Sequence, residues 1–149
     1  MSVAATRDVC SAPNLVHREL TQRIIACFYL VYNELGPGFS EAVLRRAMMV
    51  ALHEAGLRAE EEVRIQAQFH GVVIGTFHVD IIVDGAVLIE IKALPEIDNR
   101  AIGQLLNYLK VAGGGVGLLL NFGRRPEFSR KIVGDVDISR SRARPRTCP

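Results

Sequence analysis

Residues 78–92 read His78-Val79-Asp80-Ile81-Ile82-Val83-Asp84-Gly85-Ala86-Val87-Leu88-Ile89-Glu90-Ile91-Lys92. Two apolar runs flank an Asp-Gly turn signal, the pattern of a β-hairpin. Side chains alternate between the two faces of a strand. Val79, Ile81 and Val83, with Val87, Ile89 and Ile91, therefore form one apolar face. The other face carries His78, Asp80, Ile82, Leu88, Glu90 and Lys92. A two-residue turn at Asp84-Gly85 would set odd positions against even ones. A three-residue loop, Val83-Asp84-Gly85 with Gly85 left-handed, keeps the faces matched. In that register Asp80 lies opposite Leu88 and diagonal to Glu90, roughly 7–8 Å away.

Charges on such strands are costly unless paired, hydrogen-bonded or bound to metal. Two carboxylates and a lysine on one face suit a divalent cation held for phosphodiester cleavage. The ordinary reading is a salt-bridged patch on a solvated face, and the apolar neighbours Ile82 and Leu88 weigh against it.

Outward from the hairpin, Glu62 to Phe69 alternates, with Val63, Ile65, Ala67 and Phe69 toward the core. This predicts a half-exposed edge strand, followed by a turn at His70-Gly71. The strands from Val72 to Val83 and from Ala86 to Lys92 are apolar on both faces, as central strands under helices are. Upstream, apolar residues at three- and four-residue steps predict a helix from Val16 to Leu35, ended by Gly36-Pro37-Gly38. Ser40 caps a second helix that stops at Gly56. Downstream, Asp98 or Asn99 caps a third helix through Ala112, before Gly113-Gly114-Gly115. Val116 to Phe122 and Phe128 to Val133 complete the strands. A strand entered through a helical crossover lies parallel to a neighbour. The expected fold is α/β, a sandwich with a central mixed sheet flanked by helices.

At 149 residues the chain makes one domain with one sizeable core. Residues 1–15 read as a flexible leader, 16–135 as the domain and 136–149 as a basic, disordered tail. The leader has no apolar signal-peptide region, and the longest apolar run is too short to span a bilayer. A net charge of +2 does not by itself argue for nucleic acid. Cys10, Cys27 and Cys148 are odd in number and scattered, which favours a reducing cytoplasm over a disulfide framework. The edge strand offers a second copy a place to pair, so a homodimer is open.

The ordered set of motifs resembles the PD-(D/E)XK nuclease superfamily, with its restriction-endonuclease-like fold, and within it the small bacterial proteins called the GxxExxY family. The residues that carry the likeness are Leu35-Gly36-Pro37-Gly38-Phe39-Ser40-Glu41, His78-Val79-Asp80, Glu90-Ile91-Lys92, Gln104 through Leu109, and Gly117 through Gly123. They span roughly residues 20 to 133. One position departs: Leu44 stands where that family has a tyrosine.

The resemblance implies a metal-dependent nuclease acting on nucleic acid, DNA in the first instance. Asp80, Glu90 and the Ile91 carbonyl would hold Mg²⁺ or Mn²⁺, whose hard charge suits oxygen ligands. Glu41 would reach the ion directly or through water. Lys92 would sit by the attacking water, with the ion acting as a Lewis acid. Gln104 and Tyr108 share a helix face and look similar to the Gln-x-x-x-Tyr pair of RecB-like nucleases, where they would position a phosphate or base. His78 shares the face of Asp80 and is a minor candidate. Gly113-Gly114-Gly115 lacks the Lys-Ser/Thr of a phosphate loop. Arg124, Arg125, Arg130 and Lys131 read as solvated surface or as an electrostatic footing for DNA. Two other readings stand beside the enzyme: a catalytically inactive nucleic-acid-binding module, and a protein-interaction module of the same fold.

Overall fold

The computed structural model describes residues 17–134. The expected leader and basic tail, with Cys10 and Cys148, lie outside them. Helices α1 (Arg18–Leu35) and α2 (Glu41–Glu54) come first. They are followed by β1 (Ala59–Phe69), β2 (Val72–Val83), β3 (Val87–Lys92), α3 (Asn99–Val111), β4 (Gly115–Phe122) and β5 (Pro126–Val133).

Local chemistry sets the helix ends. Gly36, at φ 67, closes α1 and donates its N–H to the Tyr32 carbonyl. The Ser40 hydroxyl accepts the Val43 N–H at 3.3 Å and caps α2. Asp98 accepts the Ala101 N–H at 2.8 Å and caps α3.

The five strands lie in the order β1-β2-β3-β4-β5. β3 and β4 are parallel, joined through the α3 crossover, and the other pairs are antiparallel. Phe28, Leu44, Met48 and Leu52 of α1 and α2 pack on Ile81, Ile89, Leu118 and Leu120 on one side of the sheet. Leu105 and Leu109 of α3 pack on Ile82, Leu88 and Leu119 on the other. Gly117 permits that close approach, since a Cβ there would stand 2.8 and 2.9 Å from the Leu105 and Leu109 methyls. This is the expected α/β sandwich with a central mixed sheet.

The hairpin loop begins one residue later than expected, which shifts the pairing by two residues. Ile82 pairs with Leu88 and Val83 with Val87, so the loop is Asp84-Gly85-Ala86. Asp84, at φ 52, joins Gly85, at φ 64, in the left-handed region. Its anchor is Arg58: the Asp84 N–H donates to the Arg58 carbonyl at 2.7 Å, and Asp84 Oδ1 accepts the Arg58 N–H at 3.0 Å. The register carries Asp80 to a place across from Glu90 rather than Leu88.

Strict alternation also fails in β1 and β2. Ala59, Ile81 and Val83 pack with α1 and α2, yet Val63, Ile65 and Val79, of the same parity, pack with α3. Glu61 pairs with Ile81 and Val63 with Val79, but Glu62 and Asp80 between them do not pair. Glu62 sits at φ 51. A left-handed residue inside a strand is a bulge-like device that bends and twists it, and for Glu it costs on the order of 1–3 kcal/mol. The ribbon rolls over at this point. β2 pairs with β3 only as far as Ile81, and its outer half, Val72 to His78, is largely exposed, with Ile74 at 66%. Coverage on both faces therefore holds for the inner half of β2 alone. In β1 only Ile65 of the four expected core residues is buried, and Phe69 is exposed.

Candidate active site

Asp80 lies where the ladder opens on both sides. Its carboxylate Oδ2 accepts the Ile91 N–H at 2.7 Å, and its own N–H donates to Glu90 Oε1 at 3.3 Å. Each acid thus satisfies a backbone donor left by the interrupted strands. Glu90 is 3% exposed, and Asp80 is half-buried.

Two carboxyls in a low-dielectric site do not both ionise readily. Burial, then the charge of Asp80, pushes the Glu90 carboxyl from its ordinary 4.5 up to about 8. Asp80 is also raised, by burial above all, against the Ile91 N–H and the charges of Arg45 and Lys92. The pair shares a side-chain hydrogen bond that favours the proton on Glu90. In the metal-free site the pair's mutual contact therefore favours protonation of Glu90 over Asp80.

A cleft of about 740 Å³ is lined by Glu41, Phe77, Lys92, Gln104, Asn107 and Tyr108 among others, and neither Asp80 nor Glu90 is part of its wall. Four expected site residues thus meet there. Gln104 Nε2 donates to the Tyr108 hydroxyl at 3.0 Å. Burial raises the Tyr108 pKa; the Gln104 bond opposes this, and the charges of Glu90 and Asp80 add to it.

Glu41, at the first turn of α2, is exposed and lines the cleft without joining the pair. Among the described residues, no group of three His, Cys, Asp or Glu side chains is close enough to hold a metal ion. His78 is exposed and is not part of the cleft wall; the roll of β2 gives that place to Phe77. Leu44 is fully buried between α1, α2 and the sheet. The side chain at that position is a core residue, not a cleft residue.

Two supporting residues escaped the sequence reading. Arg45, one turn after Glu41, places Nε 3.2 Å from Glu61 and Nη2 3.2 Å from Glu62, and its charge reaches Asp80. Its four-residue spacing from Glu41 was a usable signal. Asn121, fully buried in β4 opposite Lys92, accepts the Leu94 N–H at 2.8 Å and donates to the Leu94 carbonyl at 3.0 Å. This clamp holds the chain as it leaves Lys92. An amide within the apolar run from Val116 to Phe122 was its signal.

A family model described as the PD-(D/E)XK nuclease superfamily matches residues 18–132, most of the chain. The chain belongs to the PD-(D/E)XK nuclease superfamily. The mixed sheet flanked by three helices agrees with the restriction-endonuclease-like fold. Among solved structures, one described as "Crystal structure of SSO0001" is similar with a TM-score of 0.46 and 19% identity, covering 81% of this chain and 61% of that one. No curated protein matches. No helix among the described residues is long and apolar enough to cross a membrane.

PD-(D/E)XK nucleases generally use divalent metal ions; the hard oxygen donors that lie together here are the carboxylates of Asp80 and Glu90, held by backbone contacts and without a third acidic group among the described residues.

Proposed function

We propose that the protein is a metal-dependent phosphodiesterase acting on DNA in the cytoplasm, and a divergent member of the GxxExxY group. The carrying observation is the coupled Asp80–Glu90 pair at a break in the sheet, next to Lys92. Asp80, Glu90 and the Ile91 carbonyl would hold Mg²⁺ or Mn²⁺, with Glu41 reaching it through water. Bound there, the ion supplies Lewis acidity toward the phosphodiester and the attacking water. Asp80 and Glu90 would hold the cation as carboxylates, so its binding would favour their ionised forms. Lys92 lies close enough to both acids to lower their pKa values, and it lines the cleft. Its cation would hold the negative charge that grows on the phosphoryl oxygens. Gln104 orients the Tyr108 hydroxyl, which would hydrogen-bond the nucleic-acid backbone. The one departure from the GxxExxY pattern, Leu44, faces the core and so removes no hydroxyl from the cleft.

The separation of Glu41 from the acidic pair favours one rival, a module that binds nucleic acid without cutting it. Incubation with plasmid and linear DNA in Mg²⁺, Mn²⁺ or EDTA decides between them. Cleavage that needs the metal and is lost in Asp80→Ala and Lys92→Ala supports the enzyme. Binding without cleavage, unchanged in both variants, supports the module. The open edge of β1 would pair with a second copy, and sedimentation velocity reads that directly.

A further inference from the structure

We propose that Phe77 is a stacking platform for an unpaired nucleobase, so that the cleft takes single-stranded nucleic acid. The inference rests on the nuclease reading above and names the form of its substrate. By strand alternation Phe77 belongs on the face opposite Asp80. The roll of β2 turns it into the cleft instead, on the wall that it shares with Lys92 and Tyr108. Its ring centroid lies 5.5 Å from that of Tyr108, at 47° between planes. On another side lies Gly75, where a Cβ would stand 3.1 and 3.2 Å from ring atoms of Phe77. The missing side chain lets the ring lie close to its own strand. The ring is thus held by two neighbours, belongs to neither core, and remains 36% exposed.

A positioned, exposed aromatic ring beside cationic and amide groups is the arrangement that binds single strands. Bases stack on the ring while the backbone is held by charge. Lys92, Arg100 and Asn107 on the same cleft supply the cations and the amide. A duplex keeps its base faces inside the stack, and only a splayed or unpaired strand offers one to Phe77. The volume of about 740 Å³ lies in the range of small-ligand sites, roughly 300–1,000 Å³. That admits a short stretch of one strand rather than a double helix.

The test is fluorescence anisotropy of a labelled oligothymidylate and of a blunt hairpin duplex, with Ca²⁺ in place of Mg²⁺ to suppress cutting. The expected result is tighter binding of the single strand. Phe77→Ala and Phe77→Leu should each weaken it about ten- to a hundredfold, while Phe77→Trp retains it and duplex binding stays unchanged in all three. Thermal melts confirm that the variants fold. Single-strand affinity unchanged in Phe77→Ala, or kept by Phe77→Leu, overturns the stacking role. Metal-dependent cleavage that still needs Asp80 would then leave the nuclease reading standing. A wild-type protein that binds neither strand form overturns both.

Discussion

Glu90→Gln should stabilise the metal-free protein at alkaline pH. The unfolded chain releases the Glu90 proton near its ordinary value of 4.5, whereas the folded protein keeps it until about 8. Between those values the folded state binds more protons, so its stability falls as pH rises. The stabilising contribution is complete below 4.5 and lost through about 8. At about 1.4 kcal/mol per pH unit, the loss across that interval reaches at most roughly 5 kcal/mol. A domain of this size is stable by only about 5–15 kcal/mol, so the effect is large. Gln keeps an amide oxygen where Glu90 Oε1 accepts the Asp80 N–H, and it carries no proton to lose. Urea unfolding in EDTA at pH 5, 7 and 8.5 reads the difference. The wild type should lose several kcal/mol over that range and the variant much less, with the variant the more stable of the two at pH 8.5. Millimolar Mg²⁺ should restore the wild type at pH 8.5 and leave the variant nearly unmoved. Parallel pH profiles for both proteins would refute a Glu90 proton whose loss destabilises the fold.

Three further predictions test the surroundings of the site. Asn121→Leu removes both bonds to Leu94; leaving two backbone groups unpaired should cost about 2–4 kcal/mol, seen as a lower urea midpoint, and should reduce cleavage by loosening the chain after Lys92. Leu44→Tyr, which introduces the tyrosine of the GxxExxY pattern, should destabilise by about 1–3 kcal/mol through overpacking, without raising the cleavage rate, because position 44 is fully buried. Arg45→Ala removes a cation that lowers the Asp80 pKa; the onset of Mn²⁺ binding, followed by calorimetry, should move to higher pH, and Arg45→Lys should partly reverse that shift.

Much of the fold was readable locally. Every helix came with a cap or a breaker beside its apolar stripe, and Ser40, Asp98 and Gly36 act as those signals imply. The apolar run of β4 and the crossover through α3 foretold the parallel pair. The acids and lysine were conspicuous because charge is rare in strands this apolar. The failures share one source. Alternation was carried unbroken through β2, which gave His78 a place in the site and passed over Phe77. It also let the hairpin loop start at Val83 rather than Asp84, since nothing in the Asp-Gly signal reports the hold of Arg58 on Asp84.

The one-dimensional pattern determined which elements form, which helix faces bury and which residues carry charge among them. Those properties follow from helix and strand periods and from caps, all of which act within a few residues. The tertiary structure alone decided how the acids meet. Glu62 takes a left-handed conformation that its side chain does not favour, and Arg45 reaches it from α2, seventeen positions earlier in the chain. That contact between elements stands beside the break in the ladder at Asp80, where the acid meets Glu90 and Phe77 is turned toward Tyr108. A strained residue held between two ladder pairs of neighbouring strands leaves no local trace, and so only the folded chain discloses it.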